Sequence, residues 1–469
     1  MKKTLFPYQS KALEDILGFL FEDKKLKSGI ACLPTGSGKS IIISKLSENL
    51  KGEKCLMIVP SQELLLQNHQ AILNEGGNCS LYSASVGRKD VSDLTLATIG
   101  SLKDQGSEFK GFKYIIVDEA HFKFNATSDE AVFKSFLREV KPKKLLGLTA
   151  TPFMLDSVKG QPALKMLTNM RPKIFQDIIH VTQVKEVIEA GRWAKIKYEV
   201  HPVDKSNLEV GGAEYTKESI DLFLRENNVN NRICLKLSEL KSEKTLTFVP
   251  TVEIAEKMSQ WFNKKYDGKY SSAVVSALTP KRERLEIVRR FKDVNDTLNH
   301  VINYGTLAVG FDFPNLSHIL CGRPTMSLAL FYQIVGRGCR VSEGKEYMTF
   351  YDFCGNTSFF GDVQNLTIEN CFGGWKCFIG ENLFTGFPLN CGITVSKSFL
   401  ARPPKVTGID YNMKFWFGKY ENVNVFKTPK FYRDYILKSL ENNPILNEKE
   451  VALKELLLNL NVKDIVDIF

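Results

Sequence analysis

The sequence predicts an α/β fold of two tandem units with parallel sheets, followed by a small C-terminal accessory domain. Three observations carry this expectation. Short apolar runs alternate with amphipathic stretches over most of the chain, and turn residues or helix starts follow many of the runs, the pattern of doubly wound sheets. The chain has 469 residues, 43% of them hydrophobic and 25% charged, enough to build several cores of a globular protein. No short-period repeat or low-complexity tract interrupts the alternation, which sets solenoids and fibrous proteins aside.

Taken in order, residues 55–59, 94–98, 114–117 and 144–148 read as buried parallel strands of the first unit, and 245–249 and 300–303 as strands of the second. The first unit is expected over residues 1–190 and closes after the stretch 178–190. Gly191-Arg192-Trp193 then leads into a strand over 195–200 that crosses to the second unit, 191–357. The polar stretch 204–212 reads as a loop or insertion. From residue 358 the character changes: 372–420 is rich in Gly, Phe, Trp and Asn with weak periodicity, and an amphipathic helix is expected over 449–460. Residues 358–469 therefore form the accessory domain.

The formal net charge of +10 favours polyanionic partners. The basic start Met1-Lys2-Lys3 imitates a secretion signal, but Pro7, Gln9, Lys11, Glu14 and Asp15 break its apolar core. No uninterrupted apolar run approaches membrane-spanning length, so no membrane partner is expected. The ten cysteines are scattered, which fits a reducing cytoplasm.

Two motifs carry chemistry. Leu33-Pro34-Thr35-Gly36-Ser37-Gly38-Lys39-Ser40 lies between an apolar run and a helical stretch. Glycines let backbone N–H groups curl around phosphate oxygens, and the helix N-terminus adds positive potential. Lys39 would reach the β- and γ-phosphates of ATP, and the Ser40 hydroxyl would hold Mg²⁺. The general pattern asks for glycine where Leu33 stands. The second motif, Asp118-Glu119-Ala120-His121, ends the apolar run 114–117, where carboxylates sit beside a nucleotide. Asp118 suits a Mg²⁺ ligand acting through water, and Glu119 the base that orients or activates the attacking water.

With these motifs the sequence resembles the DEAD/DEAH-type superfamily 2 helicases, whose phosphate loop does without the glycine that Leu33 replaces. It is similar in particular to phage and prophage helicases of the restriction-motor and branch-migration branch, over about residues 5 to 357. The resemblance implies two RecA-like lobes with ATP between them. It makes Phe6-Pro7-Tyr8-Gln9 the adenine-reading element, with Gln9 as the reader, although the family often has Arg where Phe6 stands. It makes Ser61, Thr98, Pro250, Thr251, Ser276 and Thr306 contacts to a nucleic-acid backbone. Thr149 and Thr151, with Gln333, become the coupling elements, and Gly310 and Asp312 approach the nucleotide. In Gln333-Ile334-Val335-Gly336-Arg337-Gly338-Cys339-Arg340, two arginines three apart would share one helix face if the segment is helical, and could clamp phosphoryl oxygens, with Arg340 as the finger and Arg337 as its partner. The implied setting is the cytoplasm of a bacterial or phage-infected cell, and the implied sense of movement is 3′ to 5′.

The expected activity is an ATP-dependent, Mg²⁺-requiring DNA helicase or translocase acting on branched or partly single-stranded DNA. An RNA helicase, a motor serving a separate nuclease, and an ATP-switched annealing or clamping protein stand as alternatives. The C-terminal domain would bind nucleic acid or replication and recombination proteins. Its stretch 411–420 interleaves aromatics, including Trp416 and Phe417, with lysines; this suits either base stacking or a hairpin core. Cys354, Cys371, Cys377 and Cys391 lack the two tight pairs of a zinc ribbon.

Overall fold

The computed structural model describes residues 4–121, 127–305, 307, 313–371 and 373–389, with 435–437, 453 and 457 beyond. The first lobe holds β1 (Ser28–Cys32), β2 (Cys55–Val59), β3 (Ser80–Ser83), β4 (Arg88–Lys89), β5 (Leu94–Thr98), β6 (Tyr114–Asp118) and β7 (Lys144–Thr149). A hairpin, β8 (Phe153–Val158) with β9 (Gln161–Met166), then leaves the sheet before β10 (Asp177–Val181) rejoins it. The sheet order is β10-β1-β7-β6-β2-β5-β3-β4, parallel throughout except between β3 and β4. Every residue of β1, β2, β6 and β7 is buried, as strands covered on both faces must be.

Helices α1 (Pro7–Leu17), α2 (Lys39–Asn49) and α3 (Gln62–Asn74) cover one face, where Ile16, Leu46 and Leu65 pack with Met57 and Ile116. Helix α4 (Thr127–Val140) covers the other, where Phe133 and Phe136 join Ile58 and Val117. Neighbouring strand residues thus serve opposite faces, the period of two that a pleated strand imposes. Helix α5 (Val184–Glu189) closes the lobe.

The second lobe begins with β11 (Lys195–Val200), a small hairpin of β12 (Val210–Gly211) and β13 (Glu214–Tyr215), and helices α6 (Lys217–Glu226) and α7 (Val229–Glu239). There follow β14 (Thr245–Phe248), α8 (Val252–Tyr266), β15 (Ser271–Val275), α9 (Lys281–Lys292), β16 (Leu298–Asn303), β17 (His318–Cys321), α10 (Leu328–Gly336) and β18 (Tyr347–Asp352). Its sheet runs β11-β18-β17-β14-β16-β15, all parallel. The crossing strand expected over 195–200 is the edge strand β11, paired with β18. The polar stretch 204–212 contains β12, so part of it is a hairpin rather than loop. Two runs extend further than their apolar residues suggest: β6 includes Asp118 and β7 includes Thr149, so motif residues themselves lie in strands.

After α11 (Asn356–Phe360), strands β19 (Leu366–Cys371), β20 (Gly374–Ile379) and β21 (Asn382–Leu383) form an antiparallel meander. Val363, Ile368, Cys377, Ile379 and Phe384 are buried in the same apolar cluster as Ile58 and Val117 of the first lobe and Leu246 and Phe331 of the second. Residues 411–420, Cys391 and all of 449–460 save 453 and 457 lie outside the described residues; Leu453 and Leu457, four apart, are both helical and buried. No described helix is long and apolar enough to cross a membrane.

Candidate nucleotide site

Strand register gathers the chemistry. In β1 and β7 Cys32 lies opposite Thr149, and in β6 and β7 Asp118 lies opposite Leu148. Three neighbouring strands therefore end side by side, and the phosphate loop, the acidic pair and Thr149–Thr151 emerge together at the C-terminal edge of the sheet. Ligands bind at such an edge in open α/β sheets. The loop turns through Gly36 (φ +81°) and Gly38 (φ +85°), left-handed conformations that other residues resist. Helix α2 starts at Lys39 directly after it.

A cavity of about 540 Å³ opens there. Lys39, Ser40, Asp118 and Glu119 line it from the first lobe, and Arg337 and Arg340 from the second. Lys39 Nζ lies 2.8 Å from Asp118 Oδ1 and also contacts the Glu119 carboxylate. Burial alone would favour the neutral amine, but Asp118 and Glu119 outweigh it and hold the ammonium above its ordinary value. Burial likewise opposes ionisation of Glu119. Lys39 first, with a smaller share from Arg337, offsets that and keeps this carboxyl below the usual range. Glu119 is thus an ionised carboxylate at neutral pH, paired with Lys39. Its backbone is left-handed (φ +52°), a conformation that costs a residue with a side chain roughly 1–3 kcal/mol.

Asn68 on α3 was not legible as a site residue, yet its amide donates to Asp118 Oδ2 at 2.9 Å, while the Glu119 N–H donates to Oδ1 at 2.9 Å. The signal was a polar residue on an apolar stripe, since Asn68 is buried on α3 between Leu64 and Ile72. His121 appears in the sequence motif without a role of its own. In the structure the Gln333 amide donates to His121 Nε2 across the lobes. Nδ1 therefore carries the proton and donates to Thr149 Oγ1 at 2.6 Å, and Thr149 donates to the Thr151 carbonyl at 3.2 Å. Burial keeps the imidazole neutral by lowering its pKa, as this tautomer requires. Thr149, Thr151 and Gln333, the residues expected to couple the lobes, are thus joined through His121.

Gln9 is buried in α1 and faces the phosphate loop: its amide donates to the Ser37 carbonyl at 2.7 Å and accepts from the Phe6 N–H at 3.0 Å. Tyr8 donates to the same carbonyl at 2.9 Å. Arg192 lines the cavity and lies 5.5 Å from the centre of the Phe6 ring.

The arginine segment departs from expectation. Helix α10 ends at Gly336, Arg337 caps it, and Arg340 pairs in a β-bridge with Trp193, so the two arginines do not share a helix face. Gly336 and Gly338 in so short a span do not favour a continued helix. Lys345 secures the turn instead. Its ammonium sits 2.6–2.9 Å from the carbonyl oxygens of Pro314, Leu316, Gly338 and Arg340, which share its three N–H donors; burial brings its pKa down to about 8.

Of the candidate nucleic-acid contacts, the described ones, Ser61, Thr98, Pro250, Thr251 and Ser276, lie at strand ends and are not among the residues that line the cavity. Ser61 and Thr251 cap α3 and α8, and Pro250 precedes Thr251. Thr98 shares its hydroxyl with Ser83 and Ser101. Ser276 is buried and accepts from the Leu278 N–H at 3.1 Å, which gives its hydroxyl to the turn. Thr306, Gly310 and Asp312 lie outside the described residues. Cys371 and Cys377 are buried in separate apolar clusters, and Cys354 in the second-lobe core.

Residues 2–154 match the family described as the res subunit of type III restriction enzymes, and residues 228–342 the helicase conserved C-terminal domain. A 51.5 kDa protein of a Lactococcus phage (isolate 7-9) is 29% identical over 318 residues, covering 66% of this chain and 62% of that protein. A candidate ATP-dependent helicase of Saccharomyces cerevisiae, IRC3, is 25% identical over 373 residues, covering 76% of this chain and 52% of its own length. The chain thus spans only part of the length of both relatives. Among solved structures, the ATP-dependent type ISP restriction-modification enzyme LlaBIII bound to DNA has a similar fold, with TM-score 0.57, 18% identity, 76% of this chain and 28% of that chain.

Proposed function

The chain belongs to the superfamily 2 helicases, and from that premise we propose that it is an ATP-driven motor that unwinds or remodels branched or partly single-stranded DNA in replication, recombination or repair. The observation that carries this reading is the one cavity in which Lys39, Asp118 and Glu119 of the first lobe face Arg337 and Arg340 of the second. A site completed only by both lobes makes nucleotide state and lobe position one variable, as a stepping motor needs.

Lys39 would exchange its carboxylate partners for phosphate oxygens, which frees Glu119 to take a proton from water. The donor set fits Mg²⁺: Ser40 offers a hydroxyl and Asp118 a carboxylate already oriented by Asn68. When bound, the metal supplies charge neutralisation to the β- and γ-phosphoryl oxygens. Arg337 and Arg340 would stabilise charge on the transferred group. Gln333, through His121, ties the second lobe to Thr149 at the end of β7, beside the strand that carries Asp118, so loss of phosphate would be felt across the lobes.

DNA as the track is supported by the restriction-enzyme family matched by the first lobe and by the DNA-bound enzyme of similar fold. The test is strand displacement on forked and four-way substrates of DNA and of matching RNA, with Glu119→Gln as control. Displacement of DNA that needs ATP and is absent in the control is expected. Displacement of RNA alone would overturn the DNA reading.

A further inference from the structure

Trp193 lies in the segment that joins the two lobes, and it touches both halves of the nucleotide site. Its indole N–H donates to the carbonyl of Thr35 in the phosphate loop. Its backbone pairs with Arg340 in an antiparallel bridge, reinforced by the Ala194 N–H donating to the Cys339 carbonyl at 2.9 Å. The other backbone group of Thr35 is taken as well: its N–H donates to Tyr332 Oη at 3.3 Å, and the Tyr332 and Trp193 rings lie 6.0 Å apart. The fit leaves no slack. A Cβ on Gly36 would come within 3.0 Å of Trp193 Nε1, and one on Gly336 within 3.0 Å of the Thr35 side chain. Trp193 is 5% exposed, so its single donor is committed to a partner in a dry setting, where hydrogen bonds are directional and costly to leave unmade.

We propose that Trp193 is a positioning residue for ATP hydrolysis, registering the phosphate loop against the Arg340 segment through one rigid side chain. This rests on the nucleotide-site reading above. A hydrogen bond from the linker to the loop fixes how far the second-lobe arginines sit from the loop that holds the phosphates. It should therefore act on turnover, which needs the arginines in place, more than on nucleotide affinity, which the first lobe supplies. The indole also sits where any change of loop or lobe position alters its surroundings, so its emission should follow nucleotide state.

The test uses the full chain and Trp193→Phe, which retains a ring against Tyr332 and removes the N–H. Hydrolysis of Mg-ATP is measured with and without single-stranded DNA, and tryptophan emission is followed while the non-hydrolysable analogue AMP-PNP with Mg²⁺ is added. The expected result is a kcat lower by about tenfold with KM for ATP changed by less than about threefold, the size of one lost hydrogen bond acting on the barrier alone. An emission change seen in the wild type is expected to be absent in the variant. Wild-type kcat in a variant shown folded by thermal melting, or an emission change that persists in it, would overturn the proposal. Should Trp193→Phe not fold, Tyr332→Phe removes the acceptor of the Thr35 N–H while keeping its ring; a similar fall in kcat supports the register and an unchanged kcat overturns it. A wild-type protein that neither binds nor hydrolyses ATP would instead overturn the nucleotide-site reading itself.

Discussion

Lys39 is neutralised by two carboxylates whose later duties differ, and single substitutions separate those duties. Glu119 is held ionised chiefly by Lys39. Glu119→Gln keeps an amide that can still contact Lys39 but cannot take a proton. Turnover should fall by about 10²- to 10⁴-fold while ATP binding persists and the closed complex accumulates on nucleic acid, measured by steady-state hydrolysis beside filter binding. Asp118 is aimed by Asn68. Asn68→Ala should leave hydrolysis attainable at high Mg²⁺ but raise the concentration needed for half-maximal rate by roughly 10- to 100-fold, the usual effect of losing a residue that orients a metal ligand. A Mg²⁺ titration indistinguishable from wild type would remove Asn68 from that role. Of these residues Lys39, Asp118 and Glu119 were legible because their motifs are contiguous. Asn68 was not, because its partner lies 50 positions away and a buried polar residue on a helix announces a partner without naming it.

The arginine segment and β16 show the same division at the scale of elements. Arg340 reaches the cavity from a turn that Lys345 and the Trp193 bridge hold, not from a helix. Sequence spacing offered a helix; two glycines and a carbonyl-bound ammonium decided for a turn. If Arg340 is the finger, Arg340→Ala should lower hydrolysis by about three decades with nucleotide affinity little changed, read from kcat beside equilibrium binding. Strand β16 carries a different cost. His300 is buried in it, edge-on to Phe262 at 4.4 Å, and burial pushes its pKa down to about 3. The unfolded chain takes up a proton near pH 6.5, the folded chain only near 3. The His300 penalty is therefore absent above about pH 6.5 and grows as pH falls through that window, at about 1.4 kcal/mol per unit. Melting temperature should drop from pH 7 to pH 4, and His300→Leu should flatten that slope; an equal slope in both proteins would assign the acid sensitivity elsewhere. Both sheets could be anticipated from alternating apolar runs. The pairings that couple them could not, since Gln333 and His121 stand 212 positions apart and Trp193 and Thr35 158.

Across the whole molecule, the point at which the motor ends is set by packing and not by the last helicase motif. The motif set is complete before Asn356, which taken alone would allow the chain to be cut near Gly361 with the motor intact. The meander that follows is built into both lobes. Trp375 Nε1 donates to Asp177 Oδ1 of β10 at 2.6 Å, Gln183 exchanges two hydrogen bonds with the backbone of Ile368, and Tyr198 of β11 donates to Asp362 at 3.0 Å. Val363, Leu366, Ile368, Cys377 and Ile379 are each at most 4% exposed within the cluster the lobes share. Losing a single buried aliphatic side chain of this kind costs about 2–5 kcal/mol, whereas a domain's whole stability is about 5–15 kcal/mol. A chain ending at Gly361 is therefore expected to lose its cooperative melting transition or to be recovered insoluble, and with it ATP hydrolysis. Trp375→Phe, which removes one hydrogen bond and little volume, should cost only about 1–2 kcal/mol and leave hydrolysis near wild type. A Gly361 truncation that melts like the full chain and hydrolyses ATP would show that the meander is an appendage and that the shared cluster contributes little to the lobes.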